Sequence, residues 1–403
     1  MYTRHGKEHV APKDREVAVV GAIDQRTAEL TKLTVILALI HPWSVYAGVL
    51  PEERADTLYH SYKGGGVQVS GPSVLVRKNI GNSASVVGNY YVDHVSSASI
   101  DVVTQGSPYK EERKQKSVGF NYLNGDISMV LGYINSEESD YTAKTANFSI
   151  SQDMFGDLTT ITMGYSRGWD TVRKNGQSDF SEPASRNNYQ LDLSQILTKN
   201  ALVGISLETV TDEGYLHNPY RSVRYLDLTN PIGYSYQPEV YPRTHTSTAV
   251  TLQARYYLPY RAALHGEYRL YSDSWGIKAN NAQIDYTHPL GRDWTFVLKY
   301  RIYSQTAADF YSDLFPRIDA QNFLARDKEL SALTNQTAGA GISYEFAKKK
   351  WEYIDKGSLN LYYDHIQFNY DNFRNVVSSA NPGDEPLYKF SADVIRLFFS
   401  LWY

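Results

Sequence analysis

The last ten residues read Val394–Ile395–Arg396–Leu397–Phe398–Phe399–Ser400–Leu401–Trp402–Tyr403. Counting back from Tyr403 in twos gives Leu401, Phe399, Leu397 and Ile395, each of them apolar. A period of two puts one side of an extended chain in an apolar medium. The terminal aromatic matches the closing strand of an outer-membrane β-barrel, with Tyr where Phe is usual. Leu397, Phe399, Leu401 and Tyr403 are therefore expected to form the signal read by the barrel-assembly machinery.

The same period runs through the interior of the chain. From Trp294 to Ser304 one phase is Trp294, Phe296, Leu298, Tyr300 and Ile302, and the other is Thr295, Val297, Lys299, Arg301 and Tyr303. Residues 249–258 and 263–271 repeat the pattern, with Gln253 and Arg255, then His265, Glu267 and Arg269, in the polar phase. Six short connections carry turn residues: Gly81–Asn82, Asn124–Gly125–Asp126, Phe155–Gly156–Asp157, Thr198–Lys199–Asn200, Pro259–Tyr260–Arg261 and Gly291–Arg292–Asp293. Gly, Asn and Asp supply the positive φ of tight hairpins. They alternate with longer polar stretches at 98–112, 136–145, 174–186, 213–243, 311–330 and 374–386. Short periplasmic turns and long outer loops are the asymmetry of an outer-membrane barrel. Pairing the strands gives fifteen from residue 73 onward. Thr57–Val69, with a turn at Ser70–Gly71–Pro72, supplies a sixteenth, as both termini on one side require. The expectation is an all-β, transmembrane antiparallel barrel of 16 strands over 57–403, with 14 as the alternative because Gly64–Gly65–Gly66 suits a strand poorly.

Composition fits. A mean hydropathy of −0.44 looks soluble, and no apolar run reaches the ~18–20 residues of a spanning helix. A barrel escapes such averages because only alternate residues meet lipid. There are 34 Tyr, 6 Trp and 14 Phe, suited to aromatic girdles at the lipid–water boundaries. The absence of Cys excludes disulfides, thiolate metal sites, a catalytic Cys and acylation at an N-terminal Cys. Net charge is −4 and the longest basic run is Lys348–Lys350, so nucleic acid is not an expected partner.

Residues 33–40, LTVILALI, have the length of a signal-peptide h-region, with Lys32 and Arg26 before them. Val45 and Ala47 fit the small-residue cleavage rule, so residues 1–47 read as a removed signal peptide with an over-long n-region. Residues 48–56 read as a short periplasmic segment.

Several stretches resemble a known family: LYHSYKGGGVQVSGPSVLVRKNIG (58–81), NYYVDHVSSASIDVV (89–103), SPYKEERK (107–114) and ESDYTAKTANFSISQDMFGDLTTITMGYSRGWDTV (138–172). They are similar to a proteobacterial outer-membrane family, domain of unknown function 3570, and so is the C-terminal strand. The resemblance implies a barrel in the outer membrane of a Gram-negative cell. It also implies a small lipoprotein and periplasmic redox proteins, thioredoxin-like and flavin-linked, as partners. It brings no activity or catalytic residues.

Chemistry must then be sought in the polar phase. Arg255, Glu267, Arg269, Asp285, Lys299 and Arg301 are expected to line the lumen, either selecting permeants in an open pore or pairing in a closed one. Glu137, Glu138 and Asp140 offer hard oxygens for Ca²⁺, against a solvated acidic loop as the plainer reading. No other cofactor is expected. Asp93–His94 with Ser96 and Ser97 is the best local group for acyl transfer, but neighbouring strand residues face opposite ways. The same objection meets Asp364–His365. There is no HExxH, P-loop or GxGxxG following a strand. The expected function is passage of a small polar solute or ion. A non-conducting scaffold is the alternative, and an outer-membrane hydrolase is the third.

Overall fold

A computed structural model describes residues 49–100, 109–346 and 353–403. The proposed signal peptide and its cleavage point lie outside the described residues. The strands are β1 Arg54–Gly64, β2 Val67–Ile80, β3 Ala84–Ser97, β4 Tyr109–Asn124, β5 Ile127–Glu137, β6 Tyr141–Met154, β7 Thr159–Lys174, β8 Gln177–Thr198 and β9 Ala201–Gly214. A small hairpin of β10 Ser222–Leu226 and β11 Tyr234–Pro238 follows. Then come β12 Thr244–Tyr257, β13 Ala263–Asp273, β14 Lys278–Leu290, β15 Trp294–Gln305, β16 Leu333–Phe346, β17 Lys356–Arg374 and β18 Leu387–Trp402. All but β10 and β11 form one closed antiparallel barrel of 16 strands. It is sealed where β18 pairs with β1, from Arg54↔Trp402 to Gly64↔Ala392. Closure leaves no strand edge unpaired, the condition for crossing lipid without helices.

The two phases separate as the sequence predicts. Trp294, Phe296, Leu298, Tyr300 and Ile302 are exposed, while Val297, Lys299 and Arg301 are buried. The barrel is thus apolar outside and polar inside, the inverse of a soluble sandwich. Tyr122, Tyr256, Trp294 and Tyr344 lie exposed toward the short-turn end, and Tyr90, Tyr133, Trp169 and Tyr363 toward the other. Two aromatic girdles flanking an apolar belt mark a membrane-spanning surface.

The phases exchange roles above the belt. On β17 the outward residues change from Leu359, Leu361 and Tyr363 to His365, Gln367 and Asn369. The inward ones change from Asn360, Tyr362 and Asp364 to Ile366, Phe368 and Tyr370. β18 does the same around Asp393. Beyond the lipid, water bathes the outer face, and the apolar side must turn inward. There Tyr62, Val67, Val69, Val95, Leu333, Ile366, Phe368, Tyr370, Phe373 and Val394 form an internal core.

The six predicted short connections all fall at strand-joining turns. Three other expectations need correction. The first hairpin turns at Gly65–Gly66, both at positive φ, and Ser70–Gly71–Pro72 lies within β2. The glycine run that argued against a strand is the turn itself. Consequently β1 starts at Arg54, three residues before the predicted Thr57. Finally, 136–145 and 174–186 are not long loops. β5 and β6 join through 138–140, and β7 and β8 through Asn175–Gly176. Backbone pairing needs no apolar side chains, so these polar segments continue as hairpins above the membrane.

Candidate functional site

All six predicted lumen residues face inward, but their situations differ. Asp285 accepts from His265 Nδ1 at 2.8 Å and from Gln283 at 2.9 Å. Lys299 meets Asp364 at 2.6 Å, and Arg396 donates to the other Asp364 oxygen at 2.8 Å. Gly339 lies between them: a Cβ there would stand 2.0 Å from Asp364 Oδ1 and 2.9 Å from Lys299 Cε. Arg301 donates to Asn335 at 3.3 Å, and Arg269 to Glu208 at 2.6 Å. Arg255 and Glu267 make no ion pair with any described residue. The inward Arg269 side chain is 36% exposed, so the barrel encloses space open to water beside β12 and β13. The neighbouring stretch of wall, β15–β18, is packed, with Lys299, Arg301, Asp364 and Arg396 all buried. Charges held there are costly to desolvate and persist because each has a partner.

That packed wall continues past the seam. His60 of β1 is in register opposite Arg396. His60 Nε2 bonds Asp93 at 2.7 Å and lies 3.1 Å from the Tyr91 hydroxyl, with its ring stacked on Tyr91. Arg113 takes the second Asp93 oxygen. Asp93 is therefore inward and His94 outward, where His94 approaches Glu112 at 3.4 Å. Asp364 and His365 are split the same way, with His365 bonded to Asp393 at 2.9 Å. The adjacent pairs considered for acyl transfer do not converge. Nor do the acidic-loop residues: Glu137 accepts from Asn135, while Asp140 accepts from the Tyr220 hydroxyl. No group of three metal-ligating side chains is positioned for an ion among the described residues.

Sequence reasoning missed His60, Asp93, Arg113, Asp364 and Arg396 as lumen charges. Arg396 carried a readable signal, being the one charge between Val394 and Phe398 in the inward phase of β18. The others needed the closed register before their partners were evident.

The loop end of the lumen is filled. Segments 215–243, 306–332 and 375–386 fold into the mouth and pack on the inward aromatic wall. Lys328 lies over the inward rings of Tyr388 and Phe390, and Arg326 lies 4.5 Å over that of Phe373. Arg224, on β10, is fully buried and joins all three segments. It bonds Asp313 in the second and Glu385 in the third. Burial disfavours the Arg224 charge, but Glu385 and Asp313 outweigh it and hold its pKa above the ordinary value. Arg326 reinforces the knot through Asp313 at 3.0 Å, and Arg221 through Asp327 at 2.6 Å. Val223, Phe315 and Leu324 pack beside it. A cavity of about 310 Å³, lined by Tyr311, Ser312, Asp313, Leu314, Asn372, Arg374 and Gly383, opens on this plug.

Two plug groups make its stability depend on pH. Burial pushes the Glu239 carboxyl up to about 7, aided by Asp327 and opposed by Arg221. Between about 4.5 and 7 the folded plug holds this proton while the unfolded chain releases it, so stability falls as pH rises. Burial, with Arg243, pulls His217 down to about 4. Its contribution is present above its ordinary pKa and is lost as pH falls toward 4. The two oppose each other. Glu239→Gln should remove the first, protecting the plug relative to wild type by on the order of 3 kcal/mol at pH 8 but little at pH 4.5. Limited proteolysis of the loops at both pH values checks this; equal protection at both would refute it.

A closed barrel with an apolar belt, paired aromatic girdles and a charged lumen defines the class of outer-membrane β-barrels. Within that class the chain belongs to the family described as Protein of unknown function (DUF3570), whose profile matches residues 67–365. A search of the curated proteins finds no match. Among solved structures it is similar to a bacterial polysaccharide outer membrane secretin, at 8% identity and a TM-score of 0.46, covering 89% of this chain and 99% of that one. It is similar to CdiB from Acinetobacter baumannii at 9% and 0.47, covering 87% of this chain and 60% of that one. It is also similar to the CymD monoaromatic hydrocarbon channel at 8% and 0.42, covering 94% and 93%.

Proposed function

We propose that this barrel passes a small polar solute or ion across the outer membrane, with the three-segment plug as its gate. One observation carries the reading. At the level of the lipid belt the wall holds charges of both signs and stays open to water around Arg255, Glu267 and Arg269. Fixed charges on a wet wall act on permeants by sign. Their unpaired members, Arg255 and Glu267, are the selecting groups.

Planar-bilayer recording tests this. Arg255→Glu should raise the cation-to-anion permeability ratio by roughly twofold or more, and Glu267→Lys should lower it. Folded protein that passes no current with its plug released would remove the pore reading. The packed mouth would then favour a non-conducting scaffold. A non-enzymatic role is part of the proposal. It is supported by Asp93, whose two oxygens are engaged by Arg113 and His60, and by His94, which points away from the lumen.

A further inference from the structure

The outer face of the barrel is not uniform around its circumference. Just above the apolar belt on β4–β7, one row reads Lys116, Asn135, Lys144, Trp169 in register across four strands. Immediately below it lie Val118, Tyr133, Ala146 and Arg167. Below that come Phe120, Leu131, Phe148 and Tyr165, all exposed. Strands stand about 4.8 Å apart, so Lys116 and Lys144 flank Asn135 at roughly 10 Å, within joint reach of one headgroup. The Arg167 guanidinium lies 5.4 Å over the Trp169 ring, which holds it at the boundary.

These three cations are exposed and make no ion pair with any described residue. The acids nearby are engaged elsewhere: Glu112 by Lys114 and His94, and Glu137 by Asn135. Across the barrel the outward row on β14–β17, Asn280, Ser304, Thr334 and Asn369, carries no charge and meets a single lysine, Lys389, on β18. Outward cations elsewhere, such as Lys63, Lys278 and Lys389, stand on β1, β14 and β18, whereas Lys116, Lys144 and Arg167 fall within two adjacent rows of four neighbouring strands. Long basic side chains rising from an apolar belt beside Tyr and Trp are placed for an anion whose other end is buried in lipid.

We infer that the β4–β7 face binds the phosphate-bearing headgroup of an outer-leaflet glycolipid, through Lys116, Lys144 and Arg167. The inference rests on the outer-membrane placement and not on conduction, so current recordings test the pore reading separately.

The test is native mass spectrometry of the full-length barrel in detergent with a bis-phosphorylated diglucosamine lipid, with its dephosphorylated counterpart, and with inorganic phosphate as competitor. Wild type should retain the phosphorylated lipid and not the dephosphorylated one. The variant Lys116→Gln/Lys144→Gln/Arg167→Gln should bind on the order of a hundredfold more weakly, three charge contributions of roughly fivefold each. A control, Lys63→Gln/Lys278→Gln/Lys389→Gln, removes three outward cations elsewhere and should bind as wild type does. Heat-modifiable mobility on gels confirms that each variant is folded. Equal retention by the first variant, equal loss in the control, or equal binding of the dephosphorylated lipid would overturn the inference. Displacement by millimolar phosphate would assign the site to free phosphate and overturn the lipid assignment.

Discussion

Arg224→Ala is expected to release the plug while leaving the barrel closed. The guanidinium is fully buried and faces two carboxylates from segments 89 and 161 residues away. Removing it leaves Glu385 a buried charge without its cation and Asp313 with Arg326 alone, a loss of about 3–5 kcal/mol. The described bonds of this knot run among Arg224, Asp313, Glu385, Arg326 and Arg374, at the loop end, so the paired strands should keep their heat-modifiable mobility. Segments 215–243, 306–332 and 375–386 should become sensitive to protease, and single-channel recordings should show longer or larger openings. Arg224→Lys should recover only part of the effect, because an ammonium cannot fork between two carboxylates. Adding Glu385→Gln to Arg224→Leu should restore much of the protection, since Asp313 keeps Arg326 and no charge is then left stranded. Protected loops and unchanged currents in Arg224→Ala would show that the apolar clusters beneath, and not the ion pairs, hold the mouth shut.

What was legible in the sequence follows from the range of the forces involved. The belt was legible because lipid imposes a period of two on each strand separately. Trp294 to Ile302 declares its outward face without reference to any other residue. The turns were legible because positive φ is a local demand, as at Gly81 and Gly125. Errors arose where one local rule competed with another. Gly64–Gly65–Gly66 reads as poor strand, yet two of its members make the turn, and Ser70–Gly71–Pro72 lies within β2. There a Cβ on Gly71 would sit 1.8 Å from the Val92 carbonyl oxygen, so that glycine serves a close approach of strands and not a reversal. The polar ends of β7 and β8 read as loop because almost every side chain in 174–186 is polar; the apolar contact of Phe180 on Tyr215 depends on a distant segment.

The site was half legible. Its inward charges on β12–β15 could be read from alternation alone. Their pairing could not, since Lys299 finds Asp364 two strands away across a glycine, and His60 finds Asp93 33 residues on. The plug was not legible at all. Segment 215–243 has no sustained period, and its central arginine acquires a role only when two distant loops arrive. Alternation reports the solvent on each side of a strand, and nothing in it reports what fills the space enclosed.

Removing residues 395–403 is expected to abolish the barrel, the largest effect of any change considered. Those residues pair with β17 from Lys356↔Trp402 to Tyr363↔Ile395, and with β1 from Arg54↔Trp402 to Ser61↔Ile395. Without them two strand edges face lipid with unpaired N–H and C=O groups, each costing several kcal/mol. The heat-modifiable species should disappear from gels. A point change on the same strand is milder: Leu397→Lys, on the lipid face, should destabilise by about 2–4 kcal/mol and leave the barrel closed. Tyr403 separates pairing from recognition. It lies just past β18, and its hydroxyl donates to the Arg77 carbonyl at 2.9 Å, a bond worth about 1 kcal/mol. Tyr403→Ala should therefore refold in detergent or lipid almost as wild type does. If the terminal aromatic is what the assembly machinery reads, the same variant should reach the membrane several-fold less in cells. Equal loss in both settings would make Tyr403 a structural contact, and equal yield in both would move the signal to Leu397, Phe399 and Leu401.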